Sequence, residues 1–582
     1  MAENSRRLHS ARRGWLVAAL AVMAWLLLGA VAGPYAGKLS DVAESDSAAF
    51  LPSEAESTEV REIEKRFVDE QTTPLIVVWE SDQPLPPNAA TAAAEQLQRV
   101  QQINGFVGPG SPPIPSEDGT ALTSVLQVRQ DYSDDISVLV DDVRAEVSGV
   151  AGSAVFVTGP AGFAADLSAA FEGIDGLLLL VALGVVMVIL LFVYRSPILP
   201  FVVLLSAVFA LGLASYVVYL LADSGTLDLN GQSQGIMSIL VVGAATDYAL
   251  LLVARFREEL REEASRLGAM RVALRQVLGP VIASGSTVIV GVLCLLFSDL
   301  TSNRSLGPVA ALGIAASMLA ALTFLPAVLV LLGRAAYWPF RPELGSEHPE
   351  RRGVWAKVAD TVQRSPRRWW VGVTVSLMAC AALAPLFQAE GVAQSDLFLD
   401  REESVAGQEA LARHFPAGSG TPAVIVAPAD QWQQVRDVAG DNPGVQRVLP
   451  DTGSARPAPG AEPRMVDGQV LLEATLADAA DSNAAQDTIA DLREQLDSVS
   501  TDALVGGETA QLLDGNEISS RDRTVIIPIV LVVILLVLMV LLRSVLAPVL
   551  LILTVVLSFA ATLGVAGVVF DEVFGWPGAD PG

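Results

Sequence analysis

Gly243-Ala-Ala-Thr-Asp247-Tyr248-Ala-Leu-Leu-Leu-Val-Ala-Arg255-Phe-Arg-Glu-Glu-Leu260 sets an acid inside an apolar run long enough to cross a bilayer. The run opens near Gly235 and closes at Arg255. Asp247 therefore lies ~18 Å into a hydrocarbon core ~30 Å thick, at about 1.5 Å rise per residue. A carboxylate at that depth costs roughly 2.5–3.5 kcal/mol, so it is expected to face a protein interior or a wet cavity and to have a partner there. Tyr248 is its neighbour in sequence. Gly243 lies one turn below on the same face and leaves room for another helix or a water. Two roles fit such an acid. It can be an interhelical hydrogen-bond anchor, or a carboxyl that gains and loses protons during a transport cycle. Intramembrane acids so often mark ion pathways that the second role is favoured.

The rest of the chain has the same character. Its 582 residues are 52% hydrophobic with a mean hydropathy of +0.48, and apolar runs of spanning length recur, so it reads as a polytopic α-helical membrane protein. The formal net charge of −27 is concentrated in two acidic segments between spans and describes water-facing domains. It disfavours nucleic acid as a partner. Cys294 and Cys380 both fall in apolar runs, which excludes a disulfide framework. His9, His348 and His414 lie in three separate segments, without acid or cysteine at ligand spacing. Neither a zinc site nor a Ser-His-Asp hydrolase can be built from them. No Gly-rich phosphate loop is present, which leaves an ion gradient as the energy source and no cofactor.

Residues 1–14 carry Arg6, Arg7, Arg12 and Arg13 and precede the first apolar run, 15–33. A signal peptide with small residues at Ala30 and Ala32 is one reading, and a retained first span, better matched to the length, is the other. Residues 34–173 read as a soluble α+β domain. Strands are expected at 75–79, 123–128 and 154–157 and helices at 89–102 and 134–147, a βαββαβ unit with a Gly/Pro-rich loop near 105–115. Five spans follow within 174–333: 174–194, 198–221, 235–254, 280–297 and 309–332. Residues 255–275 carry Leu260, Leu267 and Leu274 at heptad spacing and read as an amphipathic helix on the membrane surface. A basic loop, 334–368, leads to a span at 369–387. A second α+β domain occupies 388–523, with strands at 423–427, 469–476 and 503–505 and helices at 431–439 and 485–499. Spans at 525–542 and 546–570 and an outer loop, 571–582, complete the chain. The basic N-terminus, the Arg195 turn, residues 255–275, the loop 334–368 and the Arg543 turn all fall on one side of this arrangement, which is expected to be cytoplasmic, with both domains extracytoplasmic.

The two halves repeat. Val157-Thr-Gly159 and Asp166 match Val505-Gly-Gly507 and Asp514, and Arg195-Ser196 with Pro200 matches Arg543-Ser544 with Pro548. Every pair is separated by the same 348 positions. One match could be chance, but a constant offset inside a matching order of elements marks a duplication. By that offset position 582 corresponds to position 234, so a second copy of the Asp247 span, and two further spans, are expected beyond it.

The Asp247-Tyr248 pair in the fourth span, running into Arg255-Phe-Arg-Glu-Glu, resembles the mycobacterial membrane protein large (MmpL) transporters of the resistance, nodulation and division superfamily. The tandem plan of one span, an outer porter-like domain and five spans is similar along the whole chain. The resemblance implies export of lipids or other hydrophobic molecules across the bacterial cytoplasmic membrane, driven by the proton-motive force. It implies membrane lipids and a lipidic substrate as partners, no enzymatic reaction, and Asp247 and Tyr248 as half of a proton relay. Ser284, Ser286 and Thr287 are candidates to line the same polar cavity as Gly243 and Asp247, although hydroxyls in membrane helices also bond their own backbone. A membrane scaffold or sensor of the sterol-sensing type, which binds lipid without pumping, is the alternative. The oligomeric state is open between a homo-oligomer and a plan completed by a missing C-terminal part.

Overall fold

The computed structural model describes every residue except 1, 40–41, 43–50, 53, 68–71, 130–131, 133–135, 151, 173, 346–353, 388–401, 416–417, 419, 454–461 and 575–582. The first half runs α1 (Ala2–Ala32), α2 (Glu56–Phe67), β1 (Thr72–Glu80), α3 (Ala89–Val100), β2 (Ile114–Pro115), β3 (Ala121–Arg129), α4 (Ile136–Glu146), β4 (Ala154–Thr158), α5 (Gly159–Glu172), α6 (Ile174–Tyr194), α7 (Ile198–Asp223), α8 (Gly231–Glu262), α9 (Arg266–Leu293) and α10 (Thr301–Leu332). The second runs α11 (Val354–Arg364), α12 (Pro366–Ala381), α13 (Glu403–His414), β5 (Ala423–Pro428), α14 (Trp432–Asp441), β6 (Val445–Pro450), β7 (Met465–Val466), β8 (Gln469–Leu476), α15 (Asn483–Asp497), β9 (Leu504–Gly506), α16 (Glu508–Leu542) and α17 (Leu546–Val568). These elements form two compact units. An apolar unit takes Met1–Glu44, Asp175–Gln388 and Asp522–Trp576, and a sheet-bearing unit takes Ser45–Ile174 and Ala389–Arg521.

In the apolar unit, eight described helices are long and apolar enough to cross a membrane, and the apolar stretch Leu179–Tyr194 of α6 is shorter. Side chains from α6, α7, α8, α9 and α10 share one core, among them Leu190, Leu199, Leu252, Val281 and Leu325. The approach of α8 to α10 is close because Gly313 offers no side chain; a Cβ there would lie 2.7 Å from Val241 Cγ2. Ser317, fully buried on α10, donates across the same contact to Val241 O at 3.1 Å. Trp25 of α1 donates to Thr323 Oγ1 of α10 at 3.0 Å.

The expected amphipathic helix at 255–275 is not a separate element. Residues 255–262 continue α8, where Arg255 pairs with Glu258 and Glu259 one turn ahead. Only Glu263, Ala264 and Ser265 intervene before α9, whose N-terminus Ser265 caps by accepting from Gly268 N at 3.3 Å. Arg334 closes the other end of the turn by donating to Leu260 O at 2.6 Å. Two further boundaries move: α10 begins at Thr301, and α16 begins at Glu508, well before the apolar run that it carries.

The sheet-bearing unit holds two antiparallel sheets of one topology, β2-β3-β1-β4 and β6-β8-β5-β9, with β7 added beside β8. The register is duplicated too. Ile76 pairs with Thr158 and Val77 with Val157 in the first sheet, and Val424 with Gly506 and Ile425 with Val505 in the second. One face of each sheet packs on its own helices. Leu75, Val77 and Trp79 meet Leu97 of α3 and Val140 of α4, and Ile425 and Leu472 meet Val435 of α14 and Ile489 of α15. The loops before α7 and α17 carry the same signature, because Arg195 (φ 52°) and Arg543 (φ 49°) both adopt the left-handed conformation that is uncommon outside glycine.

The opposite sheet faces are covered by exchange. Helix α2 precedes the first sheet in the chain yet packs on the second, with Val60, Ile63 and Phe67 against Val426 and Leu471. Helix α13 precedes the second sheet and packs on the first, with Ala410 and Leu411 against Ile76 and Val78. Each joint is tied by one arginine and two acids. Arg144 pairs with Asp166 at 2.6 Å and Glu403 at 3.3 Å, while Asp166 accepts from Ser404 N and Glu403 from Val157 N, each at 3.0 Å. In the other joint Arg493 pairs with Asp514 at 2.5 Å and Glu56 at 3.1 Å, Asp514 accepts from Ser57 N at 3.0 Å, and Glu56 accepts from Val505 N at 2.6 Å. Both aspartates are nearly buried and each has its cation, which is the condition under which a buried charge is tolerated.

Candidate functional site

Helix α8 positions the acid singled out from sequence. Asn230 starts the helix by accepting from Ser233 N at 2.6 Å, and 32 residues then run unbroken to Glu262. Asp247 falls at its middle. One side of α8 is buried against the bundle through Val241, Ala245, Tyr248, Leu252 and Phe256. Gly243, Asp247 and Leu251, spaced four apart, share the exposed side. A Cβ on Gly243 would meet nothing within 4 Å, so the space one turn below the carboxylate is open.

The Asp-Tyr pair is therefore split between two environments. Asp247 is exposed, whereas Tyr248 is 3% exposed within the core that also holds Leu190, Tyr194, Phe256 and Tyr337. Successive helical residues diverge by about 100°, so neighbours in sequence need not share a face. Thr246, between Gly243 and Asp247, donates to Val242 O at 3.0 Å and Gly243 O at 2.9 Å. Its hydroxyl serves the helix itself.

The hydroxyls proposed for α9 divide likewise. Ser284 and Ser286 are exposed. Thr287 donates to Ala283 O at 2.7 Å, the self-bonding that membrane-helix hydroxyls commonly adopt. Gly285 between them is buried where Met318 of α10 crosses, and a Cβ would come 2.9 Å from Met318 Cγ. The structure thus brings Gly243 and Asp247 together on one face, takes Tyr248 into the core, and leaves Ser284 and Ser286 open on the neighbouring helix. Among the described residues no group of three or more His, Cys, Asp or Glu side chains could hold a metal ion.

Sequence reasoning missed the arginines of the two exchange joints. The signal was present: the offset that relates Asp166 to Asp514 also relates Arg144 to Arg493 within one position. What could not be seen is that each arginine binds an acid from the other half. Burial raises the carboxyl of Glu56 above its ordinary value, and the Val505 N–H and the Arg493 charge oppose that rise.

The MMPL family model matches residues 49–369 and 399–577. SCO0839 of Streptomyces coelicolor is 50% identical over 587 residues, covering 100% of this chain and 83% of that protein. The apo-petrobactin exporter of Bacillus anthracis is 29% identical over 90% of this chain and 76% of its own length. A Mycobacterium bovis protein named probable transport protein MmpL8 is 27% identical over 77% of this chain and 42% of its own length.

Proposed function

Because the chain belongs to the MMPL family, a family of polytopic membrane transporters, we propose that it exports lipids or other hydrophobic molecules in exchange for protons, with Asp247 as the group that carries the proton. The observation that carries this reading is the placement of one carboxylate at the middle of α8, on the exposed side and above the open space at Gly243. An acid there is too costly to keep for packing alone, and one that meets a changing environment switches between charged and neutral forms. Tyr248, anchored in the core beside it, fixes the rotation of α8 and so the direction in which Asp247 points. The basic ends of the helices are assigned to the cytoplasm and the sheet-bearing unit to the opposite side, where it receives substrate. The relative named for apo-petrobactin export supports efflux, and a lipidic or hydrophobic substrate is the class that the resemblance to the MmpL transporters implies.

The test is proton uptake coupled to efflux in proteoliposomes. Asp247→Asn preserves shape and removes titration, so flux is expected to vanish while insertion and expression stay at the wild-type level, and Asp247→Glu is expected to retain flux. Unchanged proton-coupled transport by Asp247→Asn would overturn the assignment. Lipid binding by the wild type without proton flux would instead favour a lipid-binding sensor.

A further inference from the structure

The two exchange joints differ at the end of the docked helix. Helix α2 ends on Phe67, 2% exposed and packed in the cluster with Val426 and Leu471. The residue in the matching place of α13 is His414. Phe415 beside it packs against the apolar cluster of Ile76 and Val78, whereas the ring nitrogens of His414 face polar groups. Its Nε2 lies 3.0 Å from Glu80 Oε1 at the end of β1. Its Nδ1 lies 2.8 Å from Asp118 Oδ2 in the turn between β2 and β3, and 3.2 Å from Thr120 Oγ1. Arg413, next to it, donates to both oxygens of Glu80 at 2.9 Å and has Glu409 at 3.8 Å on its own helix. The other oxygen of Asp118 accepts from Ser116 Oγ at 2.5 Å and Thr120 N at 3.0 Å.

Both carboxylates are committed to the ionised form. The Arg413 hydrogen bond holds Glu80 below the ordinary carboxylate range, and the Ser116 hydrogen bond does the same for Asp118. The histidine is the member of the cluster that can be either a cation with two N–H donors or a neutral ring with one donor and one acceptor. A neutral imidazole has one N–H. Only the imidazolium can donate to Glu80 and Asp118 together; once neutral, one ring nitrogen turns a lone pair towards a carboxylate oxygen.

We propose that His414 is a proton-operated clasp: protonated, it pins the end of α13 to β1 and to the β2–β3 turn, and neutral, it lets that end lift from the first sheet. The device belongs to one joint, because Phe67 closes the corresponding end of α2 by apolar contact. Acid therefore tightens α13, and a rise in pH loosens its last turn.

Hydrogen exchange of the full chain in lipid nanodiscs tests this, read on peptides covering 403–415 at about pH 5 and about pH 8 and corrected for intrinsic rates. The wild type is expected to lose protection about tenfold at the higher pH, the size of one charge-assisted hydrogen bond. His414→Phe, which copies the other joint, is expected to show no such change. Asp118→Asn, which leaves a neutral ring no carboxylate at Nδ1, is expected to shrink the change and serves as the reading if His414→Phe does not fold. Equal protection of the wild type at both pH values would overturn the clasp. So would an undiminished pH response in the variants.

Discussion

Each exchange joint brings a helix against a strand at one point where a glycine faces a branched side chain, and the two joints place them oppositely. In one, Gly407 of α13 lies against Thr158 of β4; a Cβ on Gly407 would stand 2.7 Å from Thr158 Cβ and 3.0 Å from Phe156 Cβ. In the other, Val60 of α2 occupies the helix position and Gly506 of β9 the strand position, with 2.5 Å between Val60 Cβ and a Cβ built on Gly506. Gly407→Ala is therefore expected to weaken the docking of α13. Helix propensity returns about 1 kcal/mol, whereas forcing a methyl against a rigid Cβ costs about 1–3 kcal/mol, for a net loss of up to about 2 kcal/mol. Thr158→Gly alone also costs about 1–2 kcal/mol, because it removes the hydroxyl that donates to Ser404 O at 2.6 Å and introduces a glycine into a strand. Combined, the two changes recreate the arrangement of the other joint. The closer contact, with Thr158, disappears while the 3.0 Å approach to Phe156 Cβ stays, and the double variant is expected to be more stable than the sum of the singles by about 1–2 kcal/mol. The assay is native-state hydrogen exchange on α13, which reports the free energy of its local opening, with α2 as the internal control. Additivity of the singles within about 0.5 kcal/mol would refute the reasoning.

Arg493→Ala leaves Asp514 nearly buried without its cation and is expected to destabilise the sheet-bearing unit by about 3–5 kcal/mol, measured by thermal unfolding; a wild-type melting curve would contradict the joint's role. Arg493→Lys is expected to recover only part of this, because a compact ammonium lacks the planar fork that binds both oxygens of Asp514 while reaching Glu56 and Val505 O. Burial pushes Glu64 of α2 from 4.5 up to about 7, with the nearby Glu473 adding to the rise. Its docked value exceeds its unfolded one, so α2 is held best at acid pH and loses stability as pH climbs from 4.5 to about 7. Glu64→Gln is expected to flatten that slope in α2 hydrogen exchange, and a slope identical to the wild type would exclude Glu64 as its source.

The spans, the repeat, and three strands and two helices of each sheet-bearing half were legible because each writes a local signal: apolar runs of spanning length, a constant offset, and alternation within strands, whereas β2, β6 and β7 were not expected. Helices α2 and α13 were not. Glu56–Phe67 and Glu403–His414 are short and charged, and the apolar face of each is completed only by a sheet from the other half. The charge pattern at 255–275 suits a helix lying on a membrane as well as it suits two spans projecting past one, and only the three-residue turn with Ser265 as cap distinguishes them. The depth of Asp247 could be counted along the run. Its exposure could not, because the buried side of a helix is chosen by neighbours that α8 does not encode: Met318 and Ser317 of α10 sit where α8 and α9 pack.

The exchange of α2 and α13 also dictates how the protein must be made. The Glu56 carboxylate finds its Val505 partner 449 positions later in the chain. At a synthesis rate of 5–20 residues per second that is a wait of roughly 20–90 s. Until then Val60, Ile63 and Phe67 have no sheet to cover them, and Ile76 and Val78 stay bare until α13 emerges. Neither lobe can mature on its own during translation. The nascent protein thus passes through a stage with two sticky surfaces, where chaperone occupancy and quality-control proteolysis have their widest opening, and the surfaces close in order: the first sheet once α13 has emerged, and α2 last, when β9 supplies Val505.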